Sequence, residues 1–235
     1  AEEVPLKRIA REVGTPAYVY SLATLKRHYQ VFDQAFAKVP HIVCFSVKAN
    51  SNLALLRAFA KQGSGFDIVS GGELFRALKA GGDPKKIVFS GVGKKKQEIE
   101  YALDAGILMF NVESDEELTV LNEIAAGAGK KAPISLRVNP DVDPQTHPYI
   151  STALRSSKFG VPYSRALGLY RRAARLRSIG VAGLGCHIGS QMQSPAPLAA
   201  AVRRIASLAS TLEDKGIPLH HIDIGGGVGI RYRNE

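Results

Sequence analysis

The stretch Ile42-Val43-Cys44-Phe45-Ser46-Val47-Lys48-Ala49-Asn50, residues 42–50, reads as a buried strand that ends in a lysine. Alternation puts Ile42, Cys44, Ser46 and Lys48 on one face and Val43, Phe45 and Val47 on the other. The second face is wholly apolar and suits packing under a helix. The first shrinks toward small and polar residues near Lys48, leaving room around an amine at the strand's C-terminal end. A lysine so placed can bind a carbonyl carbon covalently.

Outward from this strand the pattern repeats as strand, turn and amphipathic helix. Strands are expected over Ile42–Val47, Phe66–Val69, Ile87–Ser90, Leu108–Val112, Ile134–Val138, Ala182–His187 and Ile222–Ile224. Helices are expected to begin near Asn52, Gly72, Lys95, Asp115, Ser164 and Pro197, with Ser114 and Glu117 forming a capping box. Ahead of them, a polar lead-in, a short strand Ala17–Tyr20 and a helix capped by Ser21 form an opening unit. Strict alternation implies a parallel sheet, either doubly wound or closed into a barrel.

Two features favour the barrel. Polar residues fall on the inward face near many strand ends: Ser46, Lys48, Asp67, Asn111, Ser135, Arg137, His187, His221 and Asp223. A doubly wound sheet, covered on both faces, is apolar on both. No Gly-x-Gly-x-x-Gly window follows an early strand either.

Composition fits an α/β protein: 235 residues, 45% hydrophobic and 7% aromatic. No apolar run is long enough to span a bilayer, and the charged N-terminus lacks a signal-peptide core, so a cytoplasmic location is expected. The net charge of +10 raises the question of nucleic acid, but its densest clusters, Lys94-Lys95-Lys96, Arg171-Arg172 and Arg203-Arg204, carry no interleaved aromatics and read as solvated helix faces. Cys44 and Cys186 read as small core residues.

Three groups suggest chemistry. Gly225-Gly226-Gly227 follows the seventh strand, where backbone N–H groups can approach a phosphate. His187-Ile188-Gly189-Ser190 follows the sixth, offering an imidazole for a planar ligand and a hydroxyl for the same phosphate. Arg137, a charge within an apolar strand, needs a partner, for which Asp67 is the natural candidate, with Glu73 near by. Asp223 is read as tying the glycine turn to neighbouring donors; with His187 and His221 it makes a poor metal set, and no metal is expected. A covalent lysine, a phosphate turn and a histidine are the parts of a pyridoxal phosphate site.

The sequence resembles the pyridoxal phosphate-dependent decarboxylases with an alanine-racemase-like barrel. The likeness rests on Gly14-Thr15-Pro16, Ser46-Val47-Lys48-Ala49-Asn50, Gly65-Phe66-Asp67-Ile68-Val69-Ser70, Arg137-Val138-Asn139-Pro140, Lys158-Phe159-Gly160, His187-Ile188-Gly189-Ser190-Gln191 and Asp223-Ile224-Gly225-Gly226-Gly227. Thr146-His147-Pro148-Tyr149-Ile150-Ser151-Thr152 and Gln191 look more particular to the branch that decarboxylates meso-diaminopimelate to L-lysine. The resemblance implies a (β/α)8 TIM barrel with about seven of its eight strands here. It makes Lys48 the lysine that binds the cofactor, His187 the residue against the ring, and Ser190 with Gly225, Gly226 and Gly227 the phosphate ligands. Asp67 and Arg137 would lie near the aldehyde and ring hydroxyl, and His147, Tyr149, Ser151 and Thr152 in a substrate lid.

The resemblance further implies a homodimer with shared sites, residues 1–38 against a C-terminal β-domain, and an incomplete barrel over 39–235. The family's Glu-Pro-Gly-Arg motif is not in this sequence, so the segment is expected to be a fragment, inactive and poorly folded by itself. Ala153 and Val228 depart from the family pattern tolerably. Decarboxylation of another basic amino acid or racemisation on the same scaffold, and a non-catalytic cofactor carrier, are the competing readings.

Overall fold

The computed structural model describes residues 1–142 and 159–230. Its strands are β1 (Cys44–Ser46), β2 (Gly65–Ile68), β3 (Ile87–Phe89), β4 (Met109–Val112), β5 (Ala132–Asn139), β6 (Val161–Pro162), β7 (Ile179–Gly185) and β8 (His221–Asp223). Helices α1 (Leu6–Val13) and α2 (Leu22–Ala35) precede them; α3 (Leu53–Ala60), α4 (Gly71–Lys79), α5 (Lys96–Ala105), α6 (Asp115–Gly127), α7 (Tyr163–Ala173) and α8 (Ala196–Asp214) alternate with them.

All strand pairings are parallel, in the order β1-β2-β3-β4-β5-β7-β8, with the two-residue β6 beside β5. The order never reverses, whereas a doubly wound sheet reverses at its switch point. The sheet is also curled. β4 and β8 stand three strand spacings apart, about 14 Å on a flat sheet, yet Asn111 of β4 and Asp223 of β8 are hydrogen-bonded at 2.9 Å. Among the described residues β1 and β8 share no ladder, so the structure is an open part of the expected barrel.

Alternation sorts each strand between two environments. Phe66, Ile68, Ile87, Phe89, Phe110, Val112, Ile134, Leu136, Val138 and Leu184 are fully buried and form the core between sheet and helices. Phe45 stacks on Phe59 of α3 at 4.1 Å, as the apolar face of residues 42–50 requires. Ser21, Asn52, Ser70 and Ser114 cap α2, α3, α4 and α6 by accepting from backbone N–H groups of the first turn.

Four expectations are corrected. Ala17–Tyr20 joins no sheet, and Tyr18 is 92% exposed. The polar lead-in is helix α1; its Leu6, Ile9, Ala10 and Val13 do have helical spacing, but none is buried, so no packing reinforced the pattern. Residues 47–49 form a 3₁₀ turn, so Lys48 stands just past a shortened β1. Lys94 lies on no solvated face: its side chain is 1% exposed and its amine donates to Gly91 O, Asn111 O and Glu117 Oε1.

A β-bulge interrupts the β5–β7 ladder, since Ile134 pairs with Val181 but Ser135 with Gly183. The fully buried Tyr170 of α7 repairs it: Leu136 N–H donates to its hydroxyl at 3.2 Å, and the hydroxyl donates to Gly183 O at 2.8 Å. Tyr170→Phe strands both backbone groups in the core and is expected to cost about 1–3 kcal/mol. Urea unfolding should show a lower midpoint with unchanged slope; an unchanged midpoint would deny the hydroxyl this role.

Candidate active site

The inward residues of the curled sheet form a hydrogen-bonded chain. Ser46 Oγ donates to Asp67 Oδ2 at 3.1 Å and Ser90 Oγ to Asp67 Oδ1 at 2.6 Å. Asn111 Nδ2 donates to Ser90 Oγ at 3.0 Å and to Asp223 Oδ2. Gly225 N–H completes the chain on Asp223 Oδ1 at 2.8 Å, which gives Asp223 the tying role expected of it. Burial raises the Asp67 carboxyl above its ordinary range, Asp223 adds to this, and Ser90, Ser46 and Lys48 oppose it. Burial likewise pushes the Cys44 and Cys186 thiols up to about 12, as suits packing residues rather than nucleophiles.

Lys48 is exposed at the rim beyond β1, and its charge is felt at Asp67, Glu73 and His187. Glu73 anchors the turn behind it, accepting from Val69 N–H at 2.8 Å.

Arg137 does not pair with Asp67. Its Nη1 reaches Glu113 Oε1 at 3.2 Å and Oε2 at 3.3 Å, with the Glu113 side chain only 3% exposed. Glu113 lies two residues past Asn111 beside β5, whereas Asp67 is three strands away. Glu113 N–H in turn donates to Glu117 Oε2 at 2.8 Å, and Glu117 holds Lys94 at 2.6 Å. Arg137 is therefore braced by two ion pairs, Arg137–Glu113 and Lys94–Glu117, joined through the Glu113 backbone N–H, with its guanidinium 5.4 Å from the Phe159 ring. Glu113 and Lys94 escaped sequence reasoning, although Glu113 continues the inward alternation of β4.

His187 follows β7. Burial, then the charges of Arg137 and Lys48, lower its pKa to about 4. It is neutral at pH 7, and Gly226 N–H donates to Nδ1 at 3.3 Å, which assigns the remaining ring proton to Nε2.

The loops after β7 and β8 are zipped together. Met192 N–H donates to Gly227 O and Gly229 N–H to Met192 O, both at 2.9 Å. Gln191 Oε1 accepts from Ile230 N–H at 3.2 Å. Gly225 and Gly227 have φ of +71° and +92°, and a Cβ on Gly227 would stand 1.8 Å from Gly189 O. A Cβ on Gly226 would meet nothing within 4 Å, and Ser190, next to Gly189 in the facing loop, is exposed. An exposed, side-chain-free glycine turn, a neutral imidazole against it that feels the charge of the Lys48 amine, and the buried unpartnered Nε of Arg137 together fit pyridoxal phosphate.

His147, Tyr149, Ser151 and Thr152 lie outside the described residues, as does Lys158. Among the described residues no three His, Cys, Asp or Glu side chains form a group able to hold a metal, and no helix is long and apolar enough to cross a membrane.

Residues 22–235 match the family model of the pyridoxal-dependent decarboxylases, pyridoxal-binding domain. The chain is 54% identical over 235 residues to the diaminopimelate decarboxylase of Vibrio cholerae, covering all of this chain and 56% of that protein. It is 54% identical to the Pseudomonas aeruginosa enzyme of the same name, covering all of this chain and 57% of that protein. Among solved structures, Helicobacter pylori diaminopimelate decarboxylase complexed with L-lysine superposes with a TM-score of 0.95 at 42% identity, covering 98% of this chain and 59% of that one. The chain thus spans little more than half the length of the relatives it matches.

Two measurements check this geometry. Gly226→Ala should leave urea stability within about 0.5 kcal/mol of wild type while weakening pyridoxal phosphate binding, whereas Gly227→Ala should disrupt the loop pair and lower stability itself. The pH response carries the signature of His187. The folded state keeps the ring neutral down to about 4, while the unfolded chain protonates it near 6.5. Its contribution, on the order of 3 kcal/mol, is complete above pH 6.5 and lost as pH falls toward 4. His187→Phe should therefore show a shallower loss of stability across that window than wild type.

Proposed function

This chain belongs to the pyridoxal-dependent decarboxylase family, as its pyridoxal-binding domain, and on that premise we propose that it carries the cofactor site of an enzyme converting meso-2,6-diaminopimelate to L-lysine and CO2. The observation that carries the reading is the convergence of three loop groups at one end of the sheet. Lys48 follows β1, His187 follows β7 and Gly225–Gly227 follows β8; His187 both contacts the glycine turn and feels the Lys48 charge. The identity of more than half the chain to proteins named for that reaction supports this substrate over other basic amino acids.

When bound, pyridoxal phosphate supplies a conjugated system that holds the negative charge left on carbon as CO2 departs. Lys48 would hold its aldehyde covalently, and the exposure of this side chain leaves room for a substrate amine to replace it. The turn Gly225, Gly226 and Gly227, with the Ser190 hydroxyl, would hold its phosphate, through N–H groups other than that of Gly225, which Asp223 holds, and with Gly226 N–H exchanging His187 for the phosphate. His187, neutral with its proton on Nε2, would lie against its ring without adding a positive charge. Asp67 keeps a carboxylate near the lysine, and Arg137 is held at the same end by Glu113. His147, Tyr149, Ser151 and Thr152 are assigned to substrate contact.

On this reading the protein works in the cytoplasm as a homodimer with shared sites, and residues 1–38 face a C-terminal β-domain. The apolar side chains that α1 and α2 leave exposed, Leu6, Val13, Leu22 and Phe32 among them, support such a contact.

The test is product analysis with the full-length protein. Wild type should release lysine and CO2 from meso-diaminopimelate, and Lys48→Ala should lower the rate by about three orders of magnitude or more and abolish the visible absorbance of covalently held cofactor. Turnover of ornithine but not diaminopimelate would overturn the substrate assignment.

A further inference from the structure

We propose that Asn111 is a positioning residue that sets the spacing between the two ends of the cofactor site; the inference rests on the cofactor reading, not on the substrate. Its Nδ2 lies between two acceptors, 3.0 Å from Ser90 Oγ and 2.9 Å from Asp223 Oδ2. The orientation is unambiguous, because an amide oxygen turned that way would face a carboxylate. It is held although Oδ1 is left buried with no partner, so the two donated bonds outweigh that loss.

Each bond leads to one end of the site. Asp223 holds the N–H of Gly225, where the phosphate turn begins. Ser90 donates to Asp67, which shares Ser46 of the lysine strand and senses the Lys48 charge. Among the described residues, no other single side chain is hydrogen-bonded to both the Ser90–Asp67 pair and Asp223. Asn111 would thus act on a bound cofactor through Asp223 and, by way of Ser90, Asp67.

The residue type is specific. Aspartate has the same shape but only accepts hydrogen bonds when ionised, and it would put a third carboxylate beside Asp67 and Asp223. Exchanging the two groups, Asn111→Asp with Asp223→Asn, restores both the charge count and a hydrogen bond, now donated from β8 to β4.

The experiment measures the pyridoxal phosphate dissociation constant of the full-length protein at pH 8, with thermal midpoints of the same samples. Asn111→Asp should raise the constant about tenfold or more, equivalent to about 1.4 kcal/mol, and the reciprocal pair should return it to within about threefold of wild type. A single variant that binds as wild type does, or a pair no better than the single, overturns the proposal. Should the single variant fail to fold, a folded pair that binds cofactor is the same rescue; a pair that also fails to fold makes Asn111 merely structural and overturns it. Wild-type protein that binds the cofactor but leaves diaminopimelate unchanged sinks the substrate reading alone, and wild type that binds no cofactor sinks both.

Discussion

The hydrogen bond from Asn111 to Asp223 joins strands that a flat sheet would hold far apart, and most of the remaining architecture answers to it. A sheet curled that tightly has an interior too narrow for large side chains on every strand. Gly183 and Gly185 answer this on β7, where an added Cβ would come within 2.8 Å of His221 O and 3.2 Å of Ser135 Oγ respectively. The interior must also absorb two carboxylates, Asp67 and Asp223. It does so with hydroxyl, amide and backbone donors rather than with a cation at each, so the positive charges of Lys48 and Arg137 stay at the mouth, beside His187.

Much of this was legible in the sequence, because a period of two in a parallel strand reports directly which residues share a face. The inward placement of Ser46, Asp67, Asn111 and Asp223, the helix start near Gly72 and the Ser114 cap follow from local chemistry, and the structure reproduces them. Partnership was less legible. Arg137 required an acid, but choosing Glu113 over Asp67 depends on which strands are adjacent at the level of the guanidinium, a three-dimensional fact. Lys94, first of three lysines, looked like solvent-facing charge; only the fold of the loop after β3 turns its amine onto two carbonyls and Glu117. Residues 143–158, which hold the expected lid, lie outside the described structure.

Two helix starts use one device for two purposes. Ser70 and Ser114 each accept from the N–H three residues on, while Glu73 and Glu117 reach back to the N–H of the residue before the serine. At Glu73 this steadies the turn behind Lys48. At Glu117 the same carboxylate also holds Lys94, so a capping interaction joins the two ion pairs that brace Arg137. Removing one member of such a buried pair leaves the other uncompensated, at a cost of about 3–5 kcal/mol.

The bond across the sheet interior joins residues 112 positions apart in the chain. Closing so long a loop is entropically expensive, and contacts of such separation form late. During synthesis, β4 therefore emerges before the acceptor of its amide exists, and Asn111 and the Ser90–Asp67 pair are open to water until β8 brings Asp223. The polar seam is in this sense dried only after the strands on either side of it have been made, and the partly made sheet is spared an unpaired charge sealed in its core.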